Sequence, residues 1–569
     1  MSGVCREVLI NEMKRLLDII SSIGFSKGKP GLGLKNDRLD ISEREAIQKE
    51  LSLKTSLDEN LRIFKLFSGP SPDIIVRELK FGQAKVRTAI IHVDTLADTA
   101  LIEGLIGTLS VDPFQTPVGE VHKREIFREY KERLLRSSKA KEAETFTDMW
   151  QGLINGNTAI IFDGMAKALI CETQAHIGRS IEEPATETVI RGAREGFVEN
   201  AETNIALIRK RLKTPNLWVK KFIIGHLTQT DVSVLYIKGL AGEELISEVY
   251  RRINSIEMDA VIESGNIEDM IEDNPFAIFP LVFRTERIDR VVSMLLEGRV
   301  CIITDGTPFV MVVPMNFPML LQAPDDYYEK VPIGSFLRIL RFVAFTASII
   351  LPGTYVGIIT FHHELIPTEL LLRLTAAKEG VPFPVVFEVF MMELVFEFLR
   401  EAGVRLPKAI GSAVTIVGAL VLGEAAMRAG LVSAPVVIIV SFTAIASFTV
   451  PTFSFGIAAR LIRFIFIILG GVLGLFGIQF GLLVMLVLLS GLRSFGYPFL
   501  SPIAPLIISD WKDLYFRVWR WADVTRPKLE GGREPIREKR GQEPRPDKQN
   551  EGRNETYGNQ KDENPRKDK

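Results

Sequence analysis

The chain has 569 residues, and its 69 Lys and Arg nearly balance its 70 Asp and Glu, leaving a formal net charge of −1. This length allows several domains, and the balance of charge gives no general affinity for polyanions, so no nucleic-acid partner is predicted. The charges are unevenly placed, because residues 339–509 hold almost all of the long apolar runs. The sequence therefore predicts a membrane protein with soluble arms.

Residues 1–55 are predicted to form a variable polar segment. Their start, MSGVCREVLINEMKRLLDII, is interrupted by charges and has no apolar core of signal-peptide length, so no export signal is predicted. The three cysteines, Cys5, Cys171 and Cys301, are too few and too scattered for a disulfide framework. A reducing compartment is therefore favoured for the soluble part.

A repeat follows this segment. The matching passages are IIVRELKFG (74–82) with LWVKKFIIG (217–225), HVDTLADTALI (92–102) with YIKGLAGEELI (236–246), and GNTAIIFDGMAKALI (156–170) with GRVCIITDGTPFVMV (298–312). Because the passages keep their order and spacing, the sequence predicts a duplicated α/β domain, with subdomains at 56–180 and 181–325.

Each copy of the repeat places an Asp-Gly pair between two β-rich runs, at Asp163-Gly164 and Asp305-Gly306. Asp-Gly between strands is a strong hairpin signal, because turn residues with positive φ favour these two types. We therefore interpret both aspartates as turn residues.

The segment between the copies, IEEPATETVIRGAREGFVENAETNIALIRKRL (181–212), is dense in charge and predicts a polar loop followed by a basic helix. Two interpretations stay open. The charges could lie on a solvated face, or they could form a docking surface between subunits or domains through bidentate arginine–carboxylate pairs. The residues of this candidate interface are Arg191, Arg194, Glu195, Phe197 and Glu199.

Motifs for catalysis are missing from the sequence. It contains no P-loop, no H-E-x-x-H and no G-x-S-x-G, and the GLG at 31–33 lies in a polar segment rather than after a strand. His362, His363 and Glu364 are adjacent, and adjacent residues on one loop rarely converge on one ion. The sequence predicts no enzyme, no metal site and no cofactor.

The predicted membrane domain covers 335–509. Its candidate spans are 342–361, 384–401, 409–427, 429–459 and 464–492. Each has or approaches the roughly 20 apolar residues that a spanning helix needs. This pattern favours about five helices.

Basic residues predict the orientation of these spans. Three basic pairs flank them: Arg338 with Arg341, Arg405 with Lys408, and Arg460 with Arg463. The pairs fall on one side if 384–401 crosses the membrane, which puts the soluble domain in the cytoplasm. Residues 510–569 form a hydrophilic, largely disordered tail whose side stays open. Five spans would leave it outside, whereas a re-entrant or sixth segment at 494–509 would bring it back.

The helix predicted for 384–401 is charged as well as apolar. On a helical wheel Glu393, Glu397, Arg400 and Glu401 share one stripe, whereas Glu388 lies on the far side. A charge in hydrocarbon costs at least about 2.5–3.5 kcal/mol, so these groups must face water, protein or each other. A water-filled pathway lined by an oligomer is one interpretation, and it makes all five residues candidates for lining a pore.

Two structural alternatives stay open for this helix. It could lie on the membrane surface as an amphipathic helix. Its charges could also pair with Arg341, Arg373 or Arg460 inside a bundle.

Four glycines in the last span predict close helix packing. Gly470, Gly474, Gly477 and Gly481 give two G-x-x-x-G spacings, which allow neighbouring backbones to approach. Glycine is also simply common in membrane helices. A packed bundle or an oligomer is favoured.

Four separated passages carry a resemblance to a known family. They are EPATETVIRGAREGF (183–197), FEFLREAGVRLPKAIGSAVTIVGALVLGEAA (396–426), PTFSFGIAARLIRF (451–464) and LRSFGYPFLSPIAPL (492–506). Together they resemble the A subunit of the GerA family of spore germinant receptors, from about 56 to 527. Ala193 stands where that family typically has proline.

The resemblance implies a subunit of a nutrient receptor in the spore inner membrane, which triggers germination. It implies a permease-like B subunit, which is the main binding site of the nutrient, and a lipoprotein C subunit. The A subunit would self-associate, as a pentamer, into a ligand-gated cation channel in contact with membrane lipid. A non-conducting scaffold that assembles and couples the receptor is the alternative. A transporter would show inverted repeats among its spans, and the sequence shows none.

Overall fold

The computed structural model describes residues 52–81, 86–110, 139–175, 189–406 and 421–529, with shorter pieces between 128 and 134, 183 and 187, and 535 and 544. The predictions for residues 1–51, for most of the span at 409–427 and for the end of the tail lie outside this part. Within it, the chain is a soluble region of two antiparallel sheets with helices, followed by a helical region. The predicted fold class is confirmed.

The soluble region contains two copies of one unit. The elements of the first are α1 (Leu57–Ser68), β1 (Ile74–Phe81), β2 (Val86–Val93), α2 (Thr99–Ser110), β3 (Ala140–Ala143), α3 (Phe146–Ile154), β4 (Thr158–Phe162) and β5 (Ala168–Cys171). Those of the second are α4 (Ala201–Arg211), β6 (Leu217–Ile224), β7 (Thr230–Ile237), α5 (Glu243–Asn254), α6 (Ser264–Ile271), β8 (Phe283–Thr285), α7 (Ile288–Leu295), β9 (Val300–Thr304) and β10 (Val310–Val313). The strand orders are β1-β2-β4-β5-β3 and β6-β7-β9-β10-β8, so the topology is repeated.

Each sheet is buried on both faces. In β9, Cys301 and Ile303 point into one core cluster, whereas Val300 and Ile302 point into another. Successive side chains of a strand face opposite sides, so a strand covered on both sides reads as a continuous apolar run. The β-rich runs around the Asp-Gly pairs follow this rule.

The two copies hold their opening helices with the same hydrogen bonds. In α1, Asn60 accepts from the Lys54 N–H at 2.8 Å and donates to the Lys54 carbonyl at 2.7 Å. In α4, Asn204 makes the same two bonds with Val198, at 2.8 and 2.6 Å. Both asparagines are fully buried, and a buried amide needs such partners.

The Asp-Gly turns are present, and their aspartates also serve these helices. Gly164 and Gly306 have φ of 90° and 88°, whereas the aspartates keep negative φ, which differs from a turn with two positive values. Asp163 Oδ1 accepts the first helical N–H of α1, from Leu57, at 3.2 Å. Asp305 Oδ1 accepts that of α4, from Ala201, at 3.0 Å. These bonds satisfy N–H groups that a helix start leaves without internal partners.

The helical region begins after a short linker. Its elements are α8 (Asp325–Tyr328), α9 (Val331–Phe361), α10 (Thr368–Lys378), α11 (Val385–Arg405), α12 (Ala434–Ser447), α13 (Phe453–Gly491), β11 (Arg493–Ser494) and β12 (Tyr497–Pro498). Of the described helices, α9 and α13 are long and apolar enough to cross a membrane, which suggests a membrane protein.

The predicted single span at 464–492 is wrong, because α13 reverses direction at Gly474. This residue has φ 64° and ψ −146°, values that favour glycine. A Cβ on Gly477 would lie 2.3 Å from the Leu469 carbonyl oxygen, although residues eight apart in a straight helix are about 12 Å apart. We call α13 the hairpin, with arms 453–473 and 475–491.

Both ends of the hairpin meet the second subdomain. Thr452, before the first arm, donates to the Leu320 carbonyl at 3.2 Å. Ser494, after the second arm, donates to the Leu281 carbonyl at 2.7 Å. The chain after the hairpin also contacts the second subdomain, because Gln322 donates to the Asp513 carbonyl at 3.0 Å. The start of the tail therefore lies on the side of the soluble domain, and the reversal occurs at Gly474 rather than at 494–509.

Candidate functional site

The charged residues predicted on 384–401 lie on α11, which begins after Pro384 and ends at Arg405. The buried positions of this helix are Val385, Glu388, Val389 and Glu393. On a helical wheel these four positions fall within about 140°, so they define one broad helical face, and the two carboxylates mark its edges. Both carboxylates contact α12, Glu388 at its start and Glu393 at Thr443, and Glu393 also contacts the first hairpin arm.

Glu393 forms a fully buried ion pair with Arg463 of the first hairpin arm. The Oε2–Nη1 distance is 2.5 Å, and the two side chains are 0% and 1% exposed. Thr443 of α12 donates to the other Glu393 oxygen at 3.0 Å, and Arg463 Nε donates to the Ser348 carbonyl of α9 at 2.6 Å. The pair thus ties four helices together. Removing one partner would leave the other charge buried and unpaired.

Glu397 and Arg400 continue this cluster one turn further along α11. Glu397 pairs with Arg460 at 3.2 Å, and both side chains are partly buried. Arg400 donates to Ser447 at 2.8 Å, and its guanidinium lies 4.4 Å from the centre of the Phe448 ring. A cation over an aromatic face is stabilised where water is excluded.

The remaining two carboxylates differ sharply from each other. Glu401 pairs with Arg405 at 2.6 Å, but both side chains are well exposed, so this pair contributes little stability. Glu388 is fully buried, and its Oε2 accepts the Ser433 N–H at 2.9 Å, at the start of α12. A carboxylate is stabilised at the positive end of a helix dipole.

Of the arginines considered as partners for this helix, Arg460 is the one that pairs with it. Arg341 binds Asp326 at 3.0 Å instead, and Arg373 is exposed on α10. The Glu393 partner Arg463 was missed, although a signal existed. Glu393 and Glu397 are one helical turn apart, as are Arg460 and Arg463, so two antiparallel helices can form both pairs at once. The pore-lining role of the five residues stays a prediction.

The glycine residues predicted to pack helices are all buried in the hairpin. A Cβ on Gly470 would lie 2.2 Å from the Gly353 carbonyl oxygen, so the first arm and α9 are in backbone contact there. Gly477 and Gly481 face the other arm, at Leu469, and Gly474 forms the turn. Two of the four therefore serve contacts within the hairpin.

The candidate interface residues divide into one core residue and four on the surface. Phe197 is buried in the second subdomain, and its N–H donates to the Glu286 carbonyl at 2.8 Å. The other four are exposed: Arg191, Arg194, Glu195 and Glu199. Glu195 accepts from Arg211 at 2.8 Å, and Arg194 lies 3.8 Å from Glu183. Surface pairs of this kind leave the side chains available to a partner, and docking stays a prediction.

A second charge cluster joins α9 to α8 and to the tail. Asp326 is fully buried and receives Arg338 at 3.4 Å and Arg341 at 3.0 Å, both from the start of α9. Arg338 also binds the Asp513 carboxylate at 2.8 Å, and Arg517 donates to the Asp326 carbonyl at 2.8 Å. We call these five residues the junction. Arg341 also donates to the Leu321 carbonyl of the second subdomain at 2.6 Å, so the junction connects the helical region to the soluble domain. Its hydrogen bonds are charged, and such bonds are stronger than neutral ones.

Among the residues that the structure describes, no three His, Cys, Asp or Glu side chains lie together in a group that could hold a metal ion. His362 lies 3.4 Å from the Gly357 carbonyl, at the end of α9.

Comparison with known proteins gives consistent matches. The family model described as Bacillus/Clostridium GerA spore germination protein matches residues 62–529. Spore germination protein KA of Bacillus subtilis (strain 168) is 44% identical over 528 residues, covering 92% of this chain and 96% of that protein. The Uncharacterized membrane protein YfkQ of the same strain is 41% identical, covering 84% and 91%.

Two further matches come from other species. Spore germination protein GerLA of Bacillus cereus is 35% identical, covering 83% of this chain and 94% of that protein. The crystal structure of the N-terminal domain of the A subunit of the Bacillus megaterium spore germinant receptor GerK3 is 32% identical, with a TM-score of 0.38, and covers 47% of this chain and 97% of that chain. The sequence matches extend over both the soluble and the helical regions.

Proposed function

Because this chain belongs to the GerA family of spore germination proteins, we propose that it is the A subunit of a nutrient receptor in the spore inner membrane. Its partners in this proposal are a permease-like B subunit that binds the nutrient and a lipoprotein C subunit. The family match over 62–529 supports this role. Exposed Arg191 and Arg194 give the soluble domain a surface for pairing with carboxylates of a partner.

The soluble domain faces the cytoplasm in this proposal. The basic residues Arg338, Arg341 and Arg405 lie at the ends of helices that are near the soluble domain, and Arg517 and Arg520 follow on the same side. Clusters of Lys and Arg near span ends favour the cytoplasmic side.

The receptor subunit also conducts cations in this proposal, as a pentamer built from copies of this chain. The observation that carries this idea is the buried charge cluster of α11 and the first hairpin arm. Ionisable groups within apolar spans are expensive, and they commonly mark ion pathways. In the helix arrangement of this structure, Arg463 neutralises the charge of Glu393 in the proposed ion pathway. A nutrient signal that separates the pair would expose Glu393 to passing cations.

Ion release from liposomes containing the full receptor tests this role. On nutrient addition, Glu393→Gln should reduce the cation current severalfold, because the carboxylate that attracts the ion is lost. Glu369→Gln is the control, since Glu369 is an exposed carboxylate on α10 outside the pore-lining candidates, and it should leave the current unchanged. The double variant Glu393→Gln with Arg463→Gln removes both charges of the pair, so no buried charge is left unpaired. It therefore shows whether a loss of current in Glu393→Gln reflects misfolding around an unpaired Arg463. An assembled receptor that passes no ions when nutrient binds would refute the channel.

A non-conducting scaffold is the second candidate. It is favoured by the complete pairing of Glu393 within a single chain, because a paired, buried carboxylate needs no ion. A scaffold predicts that Glu393→Gln with Glu397→Gln leaves germination and ion release unchanged while assembly is intact. A selective loss of conductance would exclude it.

A further inference from the structure

The loop between α6 and β8 carries an aromatic side chain with no cover. Phe276 is 92% exposed, and Ile278 in the same loop is also exposed. Exposed apolar side chains that lie together mark contact surfaces for proteins, ligands or membranes. We call residues 272–280 the Phe276 loop.

The Phe276 loop lies between the two ends of the hairpin. On one side, Phe279 packs on Phe455 at the start of the first arm, with ring centroids 5.7 Å apart. On the other side, the Gly496 N–H donates to Asp273 at 3.3 Å, just after the second arm. The loop is therefore at the base of the hairpin, where the apolar arms begin.

Contacts with α9 show at which level of the apolar region the base of the hairpin lies. Phe455 stacks on Phe345, with centroids 4.4 Å apart. Phe345 comes four residues after Arg341, the last charged residue of α9, which is about 6 Å of helix rise. Phe279 therefore contacts residues at the level where α9 changes from charged to apolar. Phe276 is three residues from Phe279 in the chain, and therefore within about 10 Å of it.

A compact turn holds the backbone at Phe276. Its N–H donates to the Asn274 side chain at 3.1 Å, and the Ala277 N–H donates to the Asn274 carbonyl at 3.1 Å. The acidic residues beside the turn are bound elsewhere. Glu272 accepts from the Leu281 N–H at 3.3 Å, and Asp273 accepts from Arg252. The loop thus exposes apolar side chains, whereas its two carboxylates accept hydrogen bonds from the protein.

We infer that the Phe276 loop rests on the lipid surface, with Phe276 and Ile278 inserted among the phospholipid headgroups and upper acyl chains. This inference depends on the proposed membrane position of the hairpin. Lipid is the occupant because the loop continues an apolar surface, with Phe453 and Leu488 exposed at the same end of the two arms. Apolar side chains at the boundary enter about 5–10 Å into a bilayer. The second subdomain is thereby held against the membrane at a point separate from the junction.

Nitroxide labels on the full chain in phosphatidylethanolamine–phosphatidylglycerol vesicles test this contact. The background is Cys5→Ser, because Cys171 and Cys301 are buried. Labels are placed at Phe276→Cys, at Leu227→Cys and at Leu483→Cys, in the middle of the second arm. Leu227 is 82% exposed on the β6–β7 turn, and the strand register places that turn at the end of the sheet away from the hairpin. Collision with oxygen, which prefers lipid, is compared with collision with a water-soluble nickel chelate.

The expected ratio of oxygen to nickel collision is severalfold higher at 276 than at 227, and lower than at 483. If 483 is lipid-exposed and 276 behaves like 227, the loop is in water and the inference is wrong. If 276 is shielded from both reagents, it contacts protein, such as a second copy, and the inference is also wrong. If 483 itself is in water, the proposed membrane position fails instead, and the two failures are thereby distinguished.

Discussion

The two copies of the α/β unit share a fold but use equivalent positions differently. In the first copy, Thr145 precedes α3 and accepts the Asp148 N–H at 3.1 Å, as an ordinary helix cap. The equivalent residue before α7 is Arg287, which is buried and donates to the carbonyls of Glu187 and Ala193, both at 3.2 Å. A local cap in one copy is thus a long-range contact in the other.

This difference shows how the second copy of a duplicated unit can form contacts with other parts of the chain while keeping the same fold. The bonds within each unit, made by Asn60 and Asp163 or by Asn204 and Asp305, are kept, so each copy holds its own opening helix. The second copy adds contacts that leave the unit. Arg284, for example, donates to Ser454 of the hairpin at 3.2 Å. Substitutions at equivalent positions can therefore separate stability within a copy from attachment between parts.

The largest effect is expected where the copies bind each other. Arg209 of α4 is fully buried and pairs with Asp73, just before β1, in a bidentate arrangement. Arg209→Ala should lower the free energy of unfolding by about 3–5 kcal/mol, because it leaves a largely buried carboxylate without its partner. The measurement is denaturant unfolding of the detergent-solubilised chain, with hydrogen exchange of β1 and β6 as a local readout.

Lys65 is the matched control for this prediction. It occupies the position of Arg209 in the first copy, on α1, but it is exposed. Lys65→Ala should change the free energy of unfolding by less than about 0.5 kcal/mol. Equal losses for the two variants would mean that the Arg209–Asp73 pair does not join the copies.

A pH dependence specific to the second copy is the next largest effect. Burial raises the pKa of Glu268 on α6 to about 7, although Arg284 lies 3.0 Å away and opposes the shift. Since the ordinary value is 4.5, the folded state binds more protons than the unfolded state between the two values. The free energy of unfolding should therefore fall as pH rises from 4.5 to about 7, by at most about 3 kcal/mol.

Glu268→Gln should reduce this slope, and unfolding across that pH range measures it. Burial also raises the pKa of Glu272 in the same subdomain, so a smaller slope remains. Glu244→Gln, on the exposed face of α5, is the control and should keep the slope. A slope unchanged by Glu268→Gln would show that another group in the second subdomain titrates.

The sequence predicted the features that depend on local pattern. The duplication follows from the repeated passages, and the Asp-Gly turns at Asp163 and Asp305 and the strands beside them follow from turn chemistry and short apolar runs. The reversal at Gly474 was not predictable in this way, because G-x-x-x-G spacing is typical of a straight packed helix as well. The Glu393–Arg463 pair joins residues 70 apart in the sequence, so its partner is set by tertiary packing.

The smallest effect tests whether the two copies are equivalent where they look most alike. Asp163→Ala and Asp305→Ala each remove an acceptor from the first N–H of an opening helix, and losses of about 1 kcal/mol are expected for such acceptors. The two losses should agree within about 0.5 kcal/mol, the usual scatter for independent sites. Hydrogen exchange of α1 and α4 in the full chain measures each loss in its own copy. A much larger loss for Asp305→Ala would contradict a shared structural role, because Asp305 would then stabilise something in the second copy beyond the helix that it caps.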